Sequence, residues 1–156
     1  MIHSAIEAEV GGETGTIVPD VEELRAAVAM ARVTLAVKLT GDEIRALRKA
    51  IGMRGNALAD FLDVTPETYS RWENGKEPIS KNAERILRLR VFQALRSQVK
   101  GVMAKSEEIL ELKIAPMRLV TKPFALVFQR IRSPDGGNFW WFQGLHEQDV
   151  QEIPVA

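Results

Sequence analysis

Cysteine is absent from the 156 residues, and that absence removes disulfides, thiolate metal sites and cysteine nucleophiles together. Histidine occurs only twice, as His3 and His146. Neither has a nucleophile or a second ligand at motif spacing, and His146 with Glu147 and Asp149 reads as a surface cluster. No H-E-x-x-H and no glycine-rich phosphate loop ending in Lys-Ser/Thr is present, so no enzyme, cofactor or metal is expected. No run of about 18 apolar residues exists, which excludes an obvious membrane helix. Glu7 and Glu9, with no basic region ahead of an apolar stretch, argue against a signal peptide, and a cytoplasmic location is expected. Net charge is absent too, with 21 basic and 21 acidic side chains. What is present is a 46% hydrophobic composition, enough to build a packed core.

The charge is spread unevenly. Residues 1–37 hold two basic and six acidic side chains, residues 38–98 twelve and eight, and residues 99–156 seven of each. The middle third therefore carries a local positive excess, which is where phosphate neutralisation would need it. No internal repeat and no low-complexity segment occurs.

Residues 1–19, with Gly11, Gly12 and Gly15, read as irregular structure or a weak hairpin. Pro19-Asp20 then opens a helix, with Asp20 as cap and Glu23 three residues on completing a capping box. Val21, Leu24, Val28, Ala31 and Leu35 follow at 3-4-3-4 spacing. They fit either a seam that pairs with its copy or a helix packed on its own domain. Leu39-Thr40-Gly41-Asp42-Glu43-Ile44 is a stronger start signal. Thr40 and Glu43 form a capping box, Leu39 and Ile44 a hydrophobic staple, and Ile44, Leu47 and Ile51 line one face until Gly52. A next helix runs from about Asn56 and buries Leu58, Ala59 and Leu62; Asp63-Val64 makes the turn. Thr65 caps a further helix with Pro66 at its first position, Tyr69 and Trp72 turned inward and Gly75 as the stop. From Ser80 a longer helix carries Ala83, Ile86, Leu87, Val91 and Leu95 inward, with Lys81, Arg85 and Arg88 on an outer polar stripe.

Two short helices joined by a tight turn, over residues 54 to 76, are a way of presenting one helix to the major groove of DNA. The presented helix is Pro66 to Asn74. Its outward positions are Glu67, Thr68, Ser70 and Arg71, with Asn74 at the end and Thr65 at the cap. Arg71 can bond guanine O6 and N7 in bidentate fashion, and Glu67 can accept from cytosine N4. Arg54, Asn56 and the backbone amides beside them are placed for phosphate, as is Lys76.

Segment 39–92 resembles the Xre/Cro-type helix-turn-helix, through Ala59, Thr65 and the Trp72-Glu73-Asn74-Gly75 ending. More closely, Leu39-Thr40-Gly41-Asp42-Glu43-Ile44-Arg45, Ser70-Arg71-Trp72-Glu73-Asn74-Gly75 and Arg85-Ile86-Leu87-Arg88-Leu89 resemble the MqsA-type antitoxin regulators. Pro19-Asp20-Val21-Glu22-Glu23-Leu24 is similar to the linker of that family, and the likeness covers roughly residues 17–95. The resemblance implies a base-reading arginine at Arg71, a second reading position at Glu67, and a structural ion pair between Arg48 and Glu73. It also implies an N-terminal zinc site of two Cys-x-x-Cys pairs. This chain has no cysteine: Gly11 and Thr14 stand near where one such pair would be expected, and His3 alone cannot replace four ligands, so metal binding is not carried over.

After residue 99, Pro116, Pro123 and Pro134 punctuate Leu126-Val127-Phe128 and Phe139-Trp140-Trp141-Phe142. The turn-forming Ser133–Asn138 stretch between them predicts a β-hairpin. Alternation puts Phe139 and Trp141 on one face, Trp140 and Phe142 on the other. One pair suits the core and the other a dimer or inter-domain contact; a ligand pocket or a stacking platform for single-stranded nucleic acid is the alternative.

The expected fold is mainly α with a C-terminal β-hairpin, an α+β chain around an Xre/Cro-like helix-turn-helix bundle. Its divisions are 1–37 (a degenerate zinc-finger-like segment and linker helix), 38–98 (DNA-binding domain) and 99–156 (a β-containing region for dimerisation or sensing). The expected function is a homodimeric transcriptional regulator, a repressor, bound to double-stranded operator DNA. The alternatives are an antitoxin that binds a toxin protein and represses its own operon, and a protein-interaction module that binds no DNA.

Overall fold

The structure, a computed structural model, describes residues 6–10, 13–17, 20–99, 104–114, 127–132 and 134–143. His3, Gly11, Pro19, Pro116, Pro123, Leu126, Ser133, His146, Glu147 and Asp149 lie outside the described residues. In chain order the elements are β1 (Ile6–Val10), β2 (Glu13–Ile17), α1 (Val21–Thr34), α2 (Gly41–Ala50), α3 (Gly55–Phe61), α4 (Pro66–Glu73), α5 (Lys81–Leu95), α6 (Ser106–Glu111), β3 (Val127–Arg132) and β4 (Asn138–Gln143). The fold is mostly helical, with an antiparallel β3–β4 hairpin near the C-terminus. The N-terminal strands form a second antiparallel pair, Ile6 opposite Ile17 and Val10 opposite Glu13. Among the described residues no helix is long and apolar enough to cross a membrane.

Local chemistry sets the helix starts. At α2 the Thr40 hydroxyl accepts from the Glu43 amide at 3.2 Å, and the Glu43 carboxylate accepts from the Thr40 amide at 2.7 Å. These reciprocal bonds satisfy two amides that the helix itself leaves unpaired. Leu39 and Ile44, flanking the cap, are both buried. Ser80 caps α5 through the Ala83 amide at 3.2 Å.

The Asp20 cap expected for α1 is not formed. Asp20 sits in the left-handed region at φ 51, its side chain makes no cap bond, and its carboxylate pairs instead with Arg130 of β3. A left-handed residue aims its side chain away from the amide three residues on, so a distant cation takes it.

The 3-4-3-4 pattern in α1 also fails to form a single seam. Leu24 and Ala31 are buried, whereas Val21 and Val28 are 42% and 40% exposed. Burial follows Leu24, Ala27, Met30 and Val33 as well as Ala26 and Ala29, because small alanines let α1 nest against α5, α2, α6 and β4 at once. The helix is thus packed within its own fold. On β4, Trp140 is fully enclosed and Phe139 and Trp141 are half-buried, so the 140 position supplies the core. The six-residue α6, with Ile109 buried, had no counterpart in the sequence pattern.

The largest correction concerns α5. Ile86, expected inside, is 41% exposed, whereas Arg88, expected on an outer stripe, is completely buried together with Glu84. Arg88 donates to the carbonyls of Val33 (3.0 Å), Leu35 (2.7 Å) and Val37, and to the Glu84 carboxylate at 2.8 Å. Glu84 also accepts from the Leu39 amide at 2.9 Å and from Lys38 Nζ at 3.0 Å. The C-terminal carbonyls of α1 and the link to α2 lack helical partners, and the Arg88 guanidinium supplies them.

Candidate nucleic-acid interface

Three consecutive helices end the same way. After α2, Gly52 N donates to Lys49 O at 3.0 Å and Met53 N to Arg48 O at 3.2 Å. After α3, Asp63 N donates to Asp60 O and Val64 N to Ala59 O, both at 3.1 Å. After α4, Gly75 N donates to Trp72 O at 3.1 Å and Lys76 N to Arg71 O at 2.9 Å. Each is a Schellman ending with a left-handed residue at its centre: Gly52 (φ 66), Asp63 (φ 54) and Gly75 (φ 65). The Asp63 turn swings α4 across α3 and begins it at Thr65, whose hydroxyl accepts from the Thr68 amide at 3.2 Å. Pro66 occupies the first helical position, where no N–H is needed.

Tyr69 and Trp72 anchor α4, both buried, with ring centroids 6.4 Å apart in edge-to-face contact. The opposite face is open. Glu67, Ser70 and Arg71 are exposed and Thr68 half-buried, with its hydroxyl 3.1 Å from that of Thr65. Arg54 and Asn56 at the start of α3, and Lys76 just past α4, are exposed as well. Asn74 is exposed but committed within the fold: its amide nitrogen donates to Ser70 O at 2.8 Å, and its oxygen accepts from Arg45 at 2.9 Å. Arg71 donates to Glu77 at 2.9 Å.

Beneath the open face, Arg48 of α2 grips Glu73 with Nε to Oε1 at 2.7 Å and Nη2 to Oε2 at 3.3 Å, while its Nη1 holds Met53 O at 3.0 Å. The Tyr69 hydroxyl donates to the same carboxylate at 2.8 Å, and Arg45 holds Glu73 O at 3.0 Å. Burial alone would raise the Glu73 pKa, but the hydrogen bonds from Arg48 and Tyr69 outweigh it and hold the carboxyl below its ordinary value. Burial, then the bond to Glu73, pushes the Tyr69 hydroxyl up, and Glu73 raises Arg48. The tyrosine therefore stays a neutral donor and the ion pair stays charged at neutral pH.

Sequence reasoning missed Arg45, Glu77, the buried Glu84–Arg88 pair and the role of Gly41. A Cβ at Gly41 would lie 2.6 Å from Trp72 O, 2.7 Å from Glu73 O and 2.8 Å from Gly75 N. The start of α2 thus abuts the end of α4 backbone to backbone, and only glycine fits. The i, i+4 spacing of Glu84 and Arg88 was an available signal for their pairing. Among the described residues no group of His, Asp or Glu could hold a metal ion.

Residues 44–89, from within α2 to within α5, match a family model described as helix-turn-helix, of the Xre type. The match supports a DNA-binding helix-turn-helix regulator. No curated protein and no solved structure matches the chain.

Proposed function

We propose that the chain is a transcriptional repressor that binds operator DNA as a homodimer, each subunit laying α4 in the major groove. The observation that carries this reading is the two-sided character of α4. Tyr69 and Trp72 lock one side into the core, and the other side presents Arg71, Ser70 and Glu67 to solvent. In this reading Arg71 bonds a guanine edge, Glu67 accepts from cytosine N4, and Ser70 and Thr68 offer short hydroxyls. Lys76, Arg54 and Asn56 meet phosphates. Thr65 and Asn74 shape the two ends of α4, and Arg48 with Glu73 sets its angle against α2. Residues 38–98 form the DNA-binding unit, with 1–37 and 99–156 available for pairing or sensing. A footprint on the DNA upstream of its own gene should show two protected half-sites about 34 Å apart, or a multiple of that, on one face of the duplex. Uniform cleavage at protein concentrations that saturate nonspecific DNA removes the reading.

A second reading, an antitoxin that also represses its operon, draws on exposed Val21 and Val28. They line a groove of about 800 Å³ with Ala46 and Ala50, an apolar surface of a kind that a protein partner covers. Co-purification with the product of an adjacent gene tests it, and a gene with no such neighbour counts against it.

A further inference from the structure

The Schellman turn at Gly75 carries the chain back over the last turn of α4. Lys76 N and Glu77 N both point at the Arg71 carbonyl, at 2.9 Å and 3.4 Å. Because that turn returns to the residue whose side chain faces outward, the Glu77 carboxylate arrives beside the Arg71 guanidinium, Nη1 to Oε1 at 2.9 Å. The contact is single: Nε and Nη2 of Arg71 make no bond among the described residues. Both side chains stand in solvent, Arg71 58% and Glu77 47% exposed. The pair therefore supports no buried group, and the fold does not require it.

A free arginine on a helix surface samples many rotamers, and ordering it against a base edge costs side-chain entropy. An arginine held at one nitrogen has lost part of that freedom already, while its other donors, uncommitted among the described residues, still offer part of the planar fork. The carboxylate also works against the wrong ligand. A phosphate drawn toward Arg71 approaches Glu77 at the same time and meets like charge, whereas the neutral N7 and O6 edge of guanine does not.

We infer that Glu77 is a positioning residue for base readout: it orients Arg71 toward the neutral base edge and discourages its capture by phosphate, so it raises discrimination rather than affinity. This inference rests on the proposed docking of α4 in the major groove. The chain beyond α4, outside the reading helix, would then contribute to specificity through its backbone turn.

The test uses the full-length protein, a duplex selected by the wild type from a randomised pool, and a random-sequence duplex of equal length. Glu77→Ala should lower the selected-to-random affinity ratio about two- to fivefold, the scale of an exposed charged pair. It should also bind random duplex more tightly and with a steeper salt dependence, because a repelling charge is gone. Glu77→Gln keeps an acceptor for Nη1 without the charge, so it should recover part of the discrimination. In an Arg71→Ala background, Glu77→Ala should leave the ratio unchanged. Thermal unfolding of every variant should match the wild type, which separates positioning from folding. An unchanged or increased ratio in Glu77→Ala, while the wild type still selects a sequence, overturns the inference and leaves the regulator reading standing. A wild type that selects no sequence from the pool overturns both.

Discussion

The Arg88 guanidinium and the Glu84 carboxylate meet at 2.8 Å with neither side chain exposed to solvent. Burial pulls the Arg88 pKa down, opposed by the bond to Glu84. An isolated cation at this depth would be very costly, so the pair and its backbone acceptors form one unit. That unit fastens the end of α1 and the 35–39 link to α5, and so joins the N-terminal helix to the helix-turn-helix.

Removing one member strands the rest. Arg88→Ala leaves Glu84 with Lys38 as its one remaining charged partner beside the Leu39 amide, and orphans the carbonyls of Val33 and Leu35. A loss of about 3–5 kcal/mol is expected, read from urea unfolding, with Glu84→Ala in the same range. Lys81→Ala, on the exposed side of the same helix, should change stability by less than about 0.5 kcal/mol.

Gly41→Ala forces a methyl group against three backbone atoms that cannot move without shifting α4. A destabilisation of at least about 1–3 kcal/mol is expected, since overpacking against a rigid neighbour is not relieved by rotamer change. Gly55→Ala is the control. Its added carbon would meet only the Tyr69 ring at 3.8 Å, an ordinary contact, so stability should stay within about 1 kcal/mol of wild type. Paired melting curves distinguish the two.

Acid should weaken the fold through Glu73 and Glu43. Burial raises the Glu43 pKa, but its bonds with Arg32 and Thr40 prevail and leave it depressed, as Arg48 and Tyr69 do for Glu73. A group whose folded pKa is depressed contributes its full stability above the unfolded value and loses it as pH falls through the folded value. The unfolding free energy should therefore hold from neutral pH down to the ordinary glutamate value of about 4.3 and decline below it. Glu73→Gln should lower stability at neutral pH and flatten that acid decline, measured by chemical denaturation across the pH range.

Lys76 and Arg71 should separate in DNA binding. Lys76→Ala should weaken selected and random duplexes alike and reduce the slope of log affinity against log salt by about one phosphate contact. Titrations at several salt concentrations give both quantities.

Much of this architecture was readable from short-range patterns. The Thr40–Glu43 capping box, Pro66 after Thr65, and the Gly52 and Gly75 stops are local signals, and local chemistry produced the elements they announced. Tyr69 and Trp72 at i, i+3 marked the buried face of α4 for the same reason. What was hidden depends on contacts distant in sequence. Asp20, left-handed and uncapping, pairs with Arg130 from 110 residues away, and Arg88 turns inward to serve carbonyls more than 50 residues earlier. A polar stripe on a helical wheel gives no sign of such acceptors. At the candidate interface, residue types marked which positions face outward from α4. They did not reveal that Asn74 is bound to Ser70 and Arg45 or that Arg71 carries a counter-charge from the following turn.

Guanine-N7 methylation interference shows whether Arg71 reads a guanine from the exposed side of α4. With wild-type protein, methylation of one particular guanine in each half-site should abolish binding. With Arg71→Ala the complex should be weaker by about 1–3 kcal/mol and indifferent to methylation at that guanine alone. An interference pattern in Arg71→Ala identical to that of the wild type would contradict the account.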